Sequence, residues 1–230
     1  MNDDLAAAPS LYRERSLTAL VFIEAVELFF LAPLSSTTGA PLVLVGSIII
    51  TANVIAVLAI VWHIRLAVVA VLLATATELA AVVLRVTRPS QGTESLDFAA
   101  ALTLLVALTV VLSVAVFGPG RVTVHRILGA IAIYLNIAAA FALAFRMIDA
   151  LGPGKFSVHL VGTGVGHAVA DLVYFSFTTL TTTGFGDIVP IDPFARSLAN
   201  VESVFGQLFP ATLLARLITL EIEHRRAERR

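Results

Sequence analysis

Cysteine is missing altogether from this 230-residue chain. Its absence excludes disulfides, thiol catalysis and thiolate metal sites, and leaves the redox compartment open. Charge is the next shortage: Asp, Glu, Lys and Arg make up only 13% of the residues, about half of what a soluble domain carries. Neither sign dominates, and a net charge of -1 with a pI near 6.5 offers no basic field for nucleic acid. No Gly-x-Ser-x-Gly, no His-Glu-x-x-His and no pair of aspartates in facing apolar stretches occurs, so enzymatic chemistry inside a membrane has no motif to rest on. No small-residue cleavage pattern follows the first apolar run, which is therefore expected to stay in the mature chain. Finally, Asp97 to Gly118, the fourth apolar stretch, contains neither arginine nor lysine. A helix that senses voltage needs such charges at regular spacing, so a conventional voltage sensor is excluded.

What the chain has in abundance is apolar sequence. With 58% hydrophobic residues and a mean hydropathy of +0.95, it reads as an all-α membrane protein. A spanning helix needs about 20 mostly apolar residues, and six stretches qualify: Ser16 to Leu34, Pro41 to Ile64, Leu66 to Val86, Asp97 to Phe117, Ile127 to Met147 and Phe194 to Leu220. The second and third are expected to form a tight hairpin through His63 to Leu66, and Thr87 to Ser95 reads as an exposed loop. Gly118-Pro119-Gly120 is the expected boundary between a four-helix unit, residues 1–118, and a second unit, residues 119–220; residues 221–230 form a short charged tail. Asp149 to Gly166 reads as a linker outside the membrane, with His159 and His167 as surface histidines. From Ala168 to Thr181 runs a helix too short to cross, hence a re-entrant segment between the fifth and sixth spans.

The polar residues inside these spans are few. Glu24 and Glu27, one turn apart in the first span, are expected to face protein or water, either neutralised by packing partners or binding protons. Asn53 and Glu78 are expected to make interhelical hydrogen bonds, Arg85 to snorkel toward the interface, and Tyr134 and Asn136 to make small polar contacts. Of the 15 basic residues, ten fall on the N-terminal side of the membrane and five on the other. The asymmetry predicts both termini in the cytoplasm and the re-entrant segment outside.

The most unusual stretch is Thr178 to Asp187, Thr-Thr-Leu-Thr-Thr-Thr-Gly-Phe-Gly-Asp. Gly184 and Gly186 permit positive φ and so can turn successive carbonyls to one side of an extended strand. A row of carbonyls can replace the water shell of a cation. Thr182, Thr183, Gly184, Phe185, Gly186 and Asp187 resemble the Thr-Val-Gly-Tyr-Gly-Asp filter of the tetrameric potassium channel superfamily. Over residues 121–220 the chain is similar to the pore of the two-transmembrane, ion channel 2 type of prokaryotic potassium channel.

That resemblance implies a potassium-selective, homotetrameric pore in the cell membrane, needing the lipid bilayer, no cofactor and no nucleic acid, with K+ as the permeant ion. It implies ion sites at Thr182, Thr183, Gly184, Phe185 and Gly186, an acidic outer mouth at Asp187, and an aromatic cuff at Tyr174 and Phe175. Thr178 and Glu202 would support the filter, with Glu202 bonded to Thr178 or Thr183. Gly206 and Pro210 would form a hinge in the inner helix, and Gln207, Ala211, Leu214 and Ile218 would line the cavity on one helix face. Thr183 stands where valine is usual and Phe185 where tyrosine is usual. A nonselective monovalent cation channel and the pore subunit of a potassium transporter therefore stay open as alternatives. No soluble regulatory domain is recognisable in this chain.

Overall fold

The computed structural model describes residues 18–31, 53–55, 57–58, 65–117, 123–152, 154–158 and 169–228. Most of the second expected span, the Gly118-Pro119-Gly120 boundary, His159 and His167 lie outside the described residues. The first described segment is helical over residues 18–26 (α1) and ends in a π-helical turn, Glu27–Leu31. Three helices follow that are long and apolar enough to cross a membrane: α2 (Arg65–Thr87), α3 (Gln91–Phe117) and α4 (Val124–Ala150). Leucine, alanine and valine dominate them, and their hydroxyls are turned back onto the helix. Thr75 donates to the Val71 carbonyl at 2.8 Å and Thr109 to that of Leu105 at 2.7 Å. Each of these hydroxyls is thereby satisfied without water.

The break between α2 and α3 is shorter than the sequence suggested. Helix runs through Thr87, only Arg88, Pro89 and Ser90 intervene, and Gln91 to Ser95 belong to the next helix. The small polar residues that resemble a loop are instead a helix cap. The Ser90 hydroxyl accepts the Thr93 N–H at 3.1 Å, and the Thr93 hydroxyl accepts the Ser90 N–H at 2.9 Å. Arg85 does not reach for the interface; it pairs with Asp97 at 2.5 Å, drawn across by the carboxylate on the facing helix. Phe98 lies between two guanidinium groups, 5.6 Å from that of Arg85 and 5.5 Å from that of Arg146.

After α4 the chain forms β1 (Phe156–Val158), the short helix α5 (Val169–Leu180), β2 (Ile188–Pro190) and the long helix α6 (Pro193–Glu228). The two strands pair antiparallel, Phe156 opposite Pro190 and Val158 opposite Ile188. This ladder falls partly in a segment the sequence presented as an irregular linker; strands of three residues are too short to carry a period. Helix α6 continues to Glu228, so most of the expected charged tail is helical. Glutamate, arginine and alanine are good helix formers, and charge alone does not end a helix.

Two apolar clusters hold these elements. One joins α1 to α2, α3 and α4 through Leu20, Val71, Leu108, Leu112 and Ile133. The other seats α5. Phe145 of α4, Phe156 of β1 and Phe175 of α5 meet edge to face with centroids 4.9 to 5.9 Å apart, a favoured aromatic geometry. Ile188 and Ala195 close this second cluster, so the short helix, the ladder and the start of α6 share one core.

Candidate functional site: a threonine and glycine segment at the end of a short helix

Helix α5 ends by handing its last carbonyls to the segment that follows. The Thr178 carbonyl accepts the N–H groups of Thr183 at 2.8 Å and Gly184 at 3.1 Å, and Thr179 accepts that of Thr182 at 2.9 Å. These bonds tuck the start of the segment under the helix terminus, whose dipole is negative and suits a cation. From there φ is positive at every second residue: +56° at Thr182, +55° at Gly184 and +78° at Gly186. Glycine adopts this region without strain; a β-branched threonine does not. Residues 181–186 are all exposed in the single chain, with Phe185 69% exposed.

The hydroxyls at the start form a connected set. Thr181 donates to the Phe177 carbonyl at 2.7 Å, Thr182 to the Thr181 carbonyl at 2.7 Å, and Thr181 and Thr183 share a bond at 2.8 Å. Thr183 thus finds the partner its hydroxyl requires in a neighbour two residues back. Thr178 directs its own hydroxyl to Phe175 at 2.9 Å and reaches the segment through its backbone.

The two aromatics face opposite ways. Tyr174 stacks on Phe185 with centroids 6.2 Å apart and an interplanar angle of 3°. Phe175 turns into the core against Phe145. Asp187 accepts the N–H of Ile188 at 3.1 Å, and the chain enters β2 directly afterwards.

Helix α6 lies against the same helix end. Gly206 touches it so closely that a Cβ there would sit 1.7 Å from the Leu180 carbonyl oxygen. The Tyr134 hydroxyl donates to that same carbonyl at 3.3 Å from α4, and Gln207 Nε2 donates to Thr182 Oγ1 at 3.0 Å. Pro210 lies within a continuous helix. Gln207, Ala211, Leu214 and Ile218 are all exposed in the single chain.

Glu202 is fully buried, and its partner is Ser176 on α5, not Thr178 or Thr183. Ser176 precedes Thr178 by two residues in α5 and so lies on the other side of that helix, turned to the core. Its hydroxyl also bonds the Ala138 carbonyl at 2.7 Å. Sequence reasoning passed over Ser176, which looks like any small residue in an apolar helix. It also passed over Lys155 and Asp192, 2.7 Å apart. Asp192 caps α6 by accepting the N–H groups of Phe194 at 2.9 Å and Ala195 at 3.3 Å. Here a signal was present: an aspartate immediately before a proline at the first helical position. The Lys155 ammonium, with the two capping N–H groups, holds the Asp192 carboxyl below its usual value.

Comparison with known proteins bears on this arrangement. Residues 130–222, from within α4 to within α6, match the model of the family described as Ion channel. The chain aligns with the inward rectifier potassium channel Kirbac3.1 of Paramagnetospirillum magnetotacticum at 32% identity over 80 residues, 33% of this chain and 23% of that protein. It aligns with two pore potassium channel c of Oryza sativa subsp. japonica at 32% over 90 residues, 39% of this chain and 19% of that protein. Two-pore potassium channel 5 of Arabidopsis thaliana is 35% identical over 57 residues, 25% of this chain and 14% of that protein. The alignments thus span less than a quarter of each of these relatives. No solved structure matches the chain significantly.

Proposed function

We propose that this chain is a subunit of a passive, potassium-selective channel, in which four copies close a ring around one conduction path. The observation that carries the reading is the alternation of φ at Thr182, Gly184 and Gly186 on an exposed segment held beneath the end of a short helix. Alternate handedness turns carbonyls to one side, and a ring of such segments can dehydrate a cation. One chain supplies one segment, and the exposure of residues 181–186 suits closure by further copies. In this reading Thr182 to Gly186 bind the ion, Asp187 lines the outer mouth, and α5 is re-entrant. Tyr174, Phe175, Thr178 and Glu202 support the filter. Helix α6 is the inner helix, with its bend at Gly206 and Pro210 and its cavity face at Gln207, Ala211, Leu214 and Ile218. The chain crosses the cell membrane six times with both termini in the cytoplasm. Opening does not depend on a charged voltage-sensing helix, since α3 contains no basic residue.

Protein reconstituted in liposomes is expected to pass K+ down its gradient, with block by Ba2+, and to have the mass of four chains in mild detergent. Equal Na+ and K+ flux favours the second reading, a nonselective cation channel, for which the Thr181 to Thr183 hydroxyl pair is the supporting observation. A stable monomer or dimer, or no cation flux, would end the channel reading.

A further inference from the structure

The inner helix meets the start of the filter at one polar contact that close packing does not require: the amide of Gln207 on the hydroxyl of Thr182, at 3.0 Å. Thr182 is the one residue other than glycine with positive φ among the described residues. A β-branched side chain is strained in that region and stays there only when its surroundings fix it. Its hydroxyl proton is committed to the Thr181 carbonyl at 2.7 Å. A hydroxyl oxygen has two lone pairs; the Gln207 amide takes one and leaves one to meet a cation.

The residues around Gln207 make this grip rigid on one side and compliant on the other. Gly206 is pressed against the Leu180 carbonyl, which Tyr134 also holds. Pro210 lacks the N–H that would bond the Gly206 carbonyl one turn earlier, so α6 is weakened directly beyond the contact. Gly206 and Gln207 therefore belong mechanically to the filter base, and the helix beyond Pro210 is free to bend without them.

We infer that Gln207 is a positioning residue whose amide fixes the Thr182 hydroxyl at the inner end of the filter, and thereby sets how strongly that end prefers potassium over sodium and how tightly it holds barium. This rests on the channel reading proposed above. With the amide in place the hydroxyl has one orientation and one lone pair for the ion. Without it both lone pairs of the oxygen are open to the ion, and the site adapts to a smaller cation.

The test uses the full chain in liposomes, reading the K+ to Na+ permeability ratio and the Ba2+ concentration giving half block. Gln207→Leu keeps the volume and removes the donor; Gln207→Asn keeps the amide on a stem one methylene too short to reach. Both variants are expected to lower the ratio and raise the half-block concentration by about three- to ten-fold, the scale of one hydrogen bond, while K+ flux persists. A structural role alone would change the amount of assembled channel and leave both quantities where they were. Values within two-fold of wild type in either conducting variant overturn the inference and leave the channel reading intact. Absence of K+ flux in the wild type overturns both. Should Gln207→Leu not assemble, the result for Gln207→Asn decides.

Discussion

Ser176 has one hydroxyl proton and two oxygen neighbours, the Ala138 carbonyl and the Glu202 carboxyl. A carbonyl only accepts, so the serine proton goes to Ala138, and the set is complete when the Glu202 carboxyl supplies a donor of its own. Glu202→Gln keeps a donor at that place and is expected to melt within about 1 kcal/mol of wild type, whereas Glu202→Leu strands the serine and costs about 1–3 kcal/mol. Thermal unfolding of the purified protein separates the two, and equal loss in both would show that ionised glutamate is needed. Gly206 offers a second comparison. A methyl there meets the Leu180 backbone oxygen at 1.7 Å, and backbone yields poorly, so Gly206→Ala is expected to cost about 1–3 kcal/mol and to reduce the yield of assembled protein. Gly92, whose added Cβ would meet only the Ser90 hydroxyl at 3.9 Å, is the control: Gly92→Ala is expected to be neutral or to stabilise by about 0.4–1 kcal/mol.

Among the elements, the start of α6 depends on a carboxylate. Asp192 binds two N–H groups of the first turn and the Lys155 ammonium at once, and its carboxyl titrates below the usual value. A lowered value in the folded state means that the stabilisation is full at neutral pH, begins to fade in the ordinary carboxylate range and is lost as pH falls through the lowered value. Wild-type stability is therefore expected to drop on the acid side of the ordinary carboxylate range, and Asp192→Asn, which still caps the helix, to show a smaller acid loss. Coincident pH profiles would remove Asp192 from the acid response. These elements also mark what periodicity and composition can convey. Helices α2, α4 and α5 begin and end within about three residues of the expectation, because long apolar runs bounded by charge or glycine leave few choices. The cap at Ser90 was hidden because serine, glycine and threonine serve loops and helix starts equally. The β1–β2 ladder was hidden because its partners are some thirty residues apart in sequence and three residues long.

At the scale of the whole molecule, the leading segment is tied to α4 and α5 inside the apolar layer. Asn136 of α4 donates to Glu24 of α1 at 3.0 Å, Asn53 donates to Glu27 at 3.0 Å, and Phe29 packs on Phe177 of α5 at 5.3 Å. The two acids read as costly in the sequence each have an amide partner. Glu78 is buried too, and its Oε2, like that of Glu24, has no partner among the described residues, where an interhelical bond was expected. Removing the Asn136 amide leaves Glu24, 3% exposed, without that donor. Asn136→Leu is expected to destabilise by about 1–3 kcal/mol and to raise the rate at which protease cleaves near α1; unchanged proteolysis would mean that the apolar contacts alone hold α1 in place. The positive φ values at Gly184 and Gly186 were legible because alternating glycines serve a backbone conformation. Tyr134 and Ser176 were not, since their partners lie 46 and 38 residues away. The ladder of β1 and β2 has one more bearing on the whole. It stitches the chain just past residues 182–186 to Lys155 and Phe156 through backbone bonds, while at the beginning of that segment the Thr178 and Thr179 carbonyls hold the N–H groups of Thr182, Thr183 and Gly184. The segment is thus moored at both ends and least held by backbone bonds at Phe185 and Gly186 between them, where a departure from this shape should start.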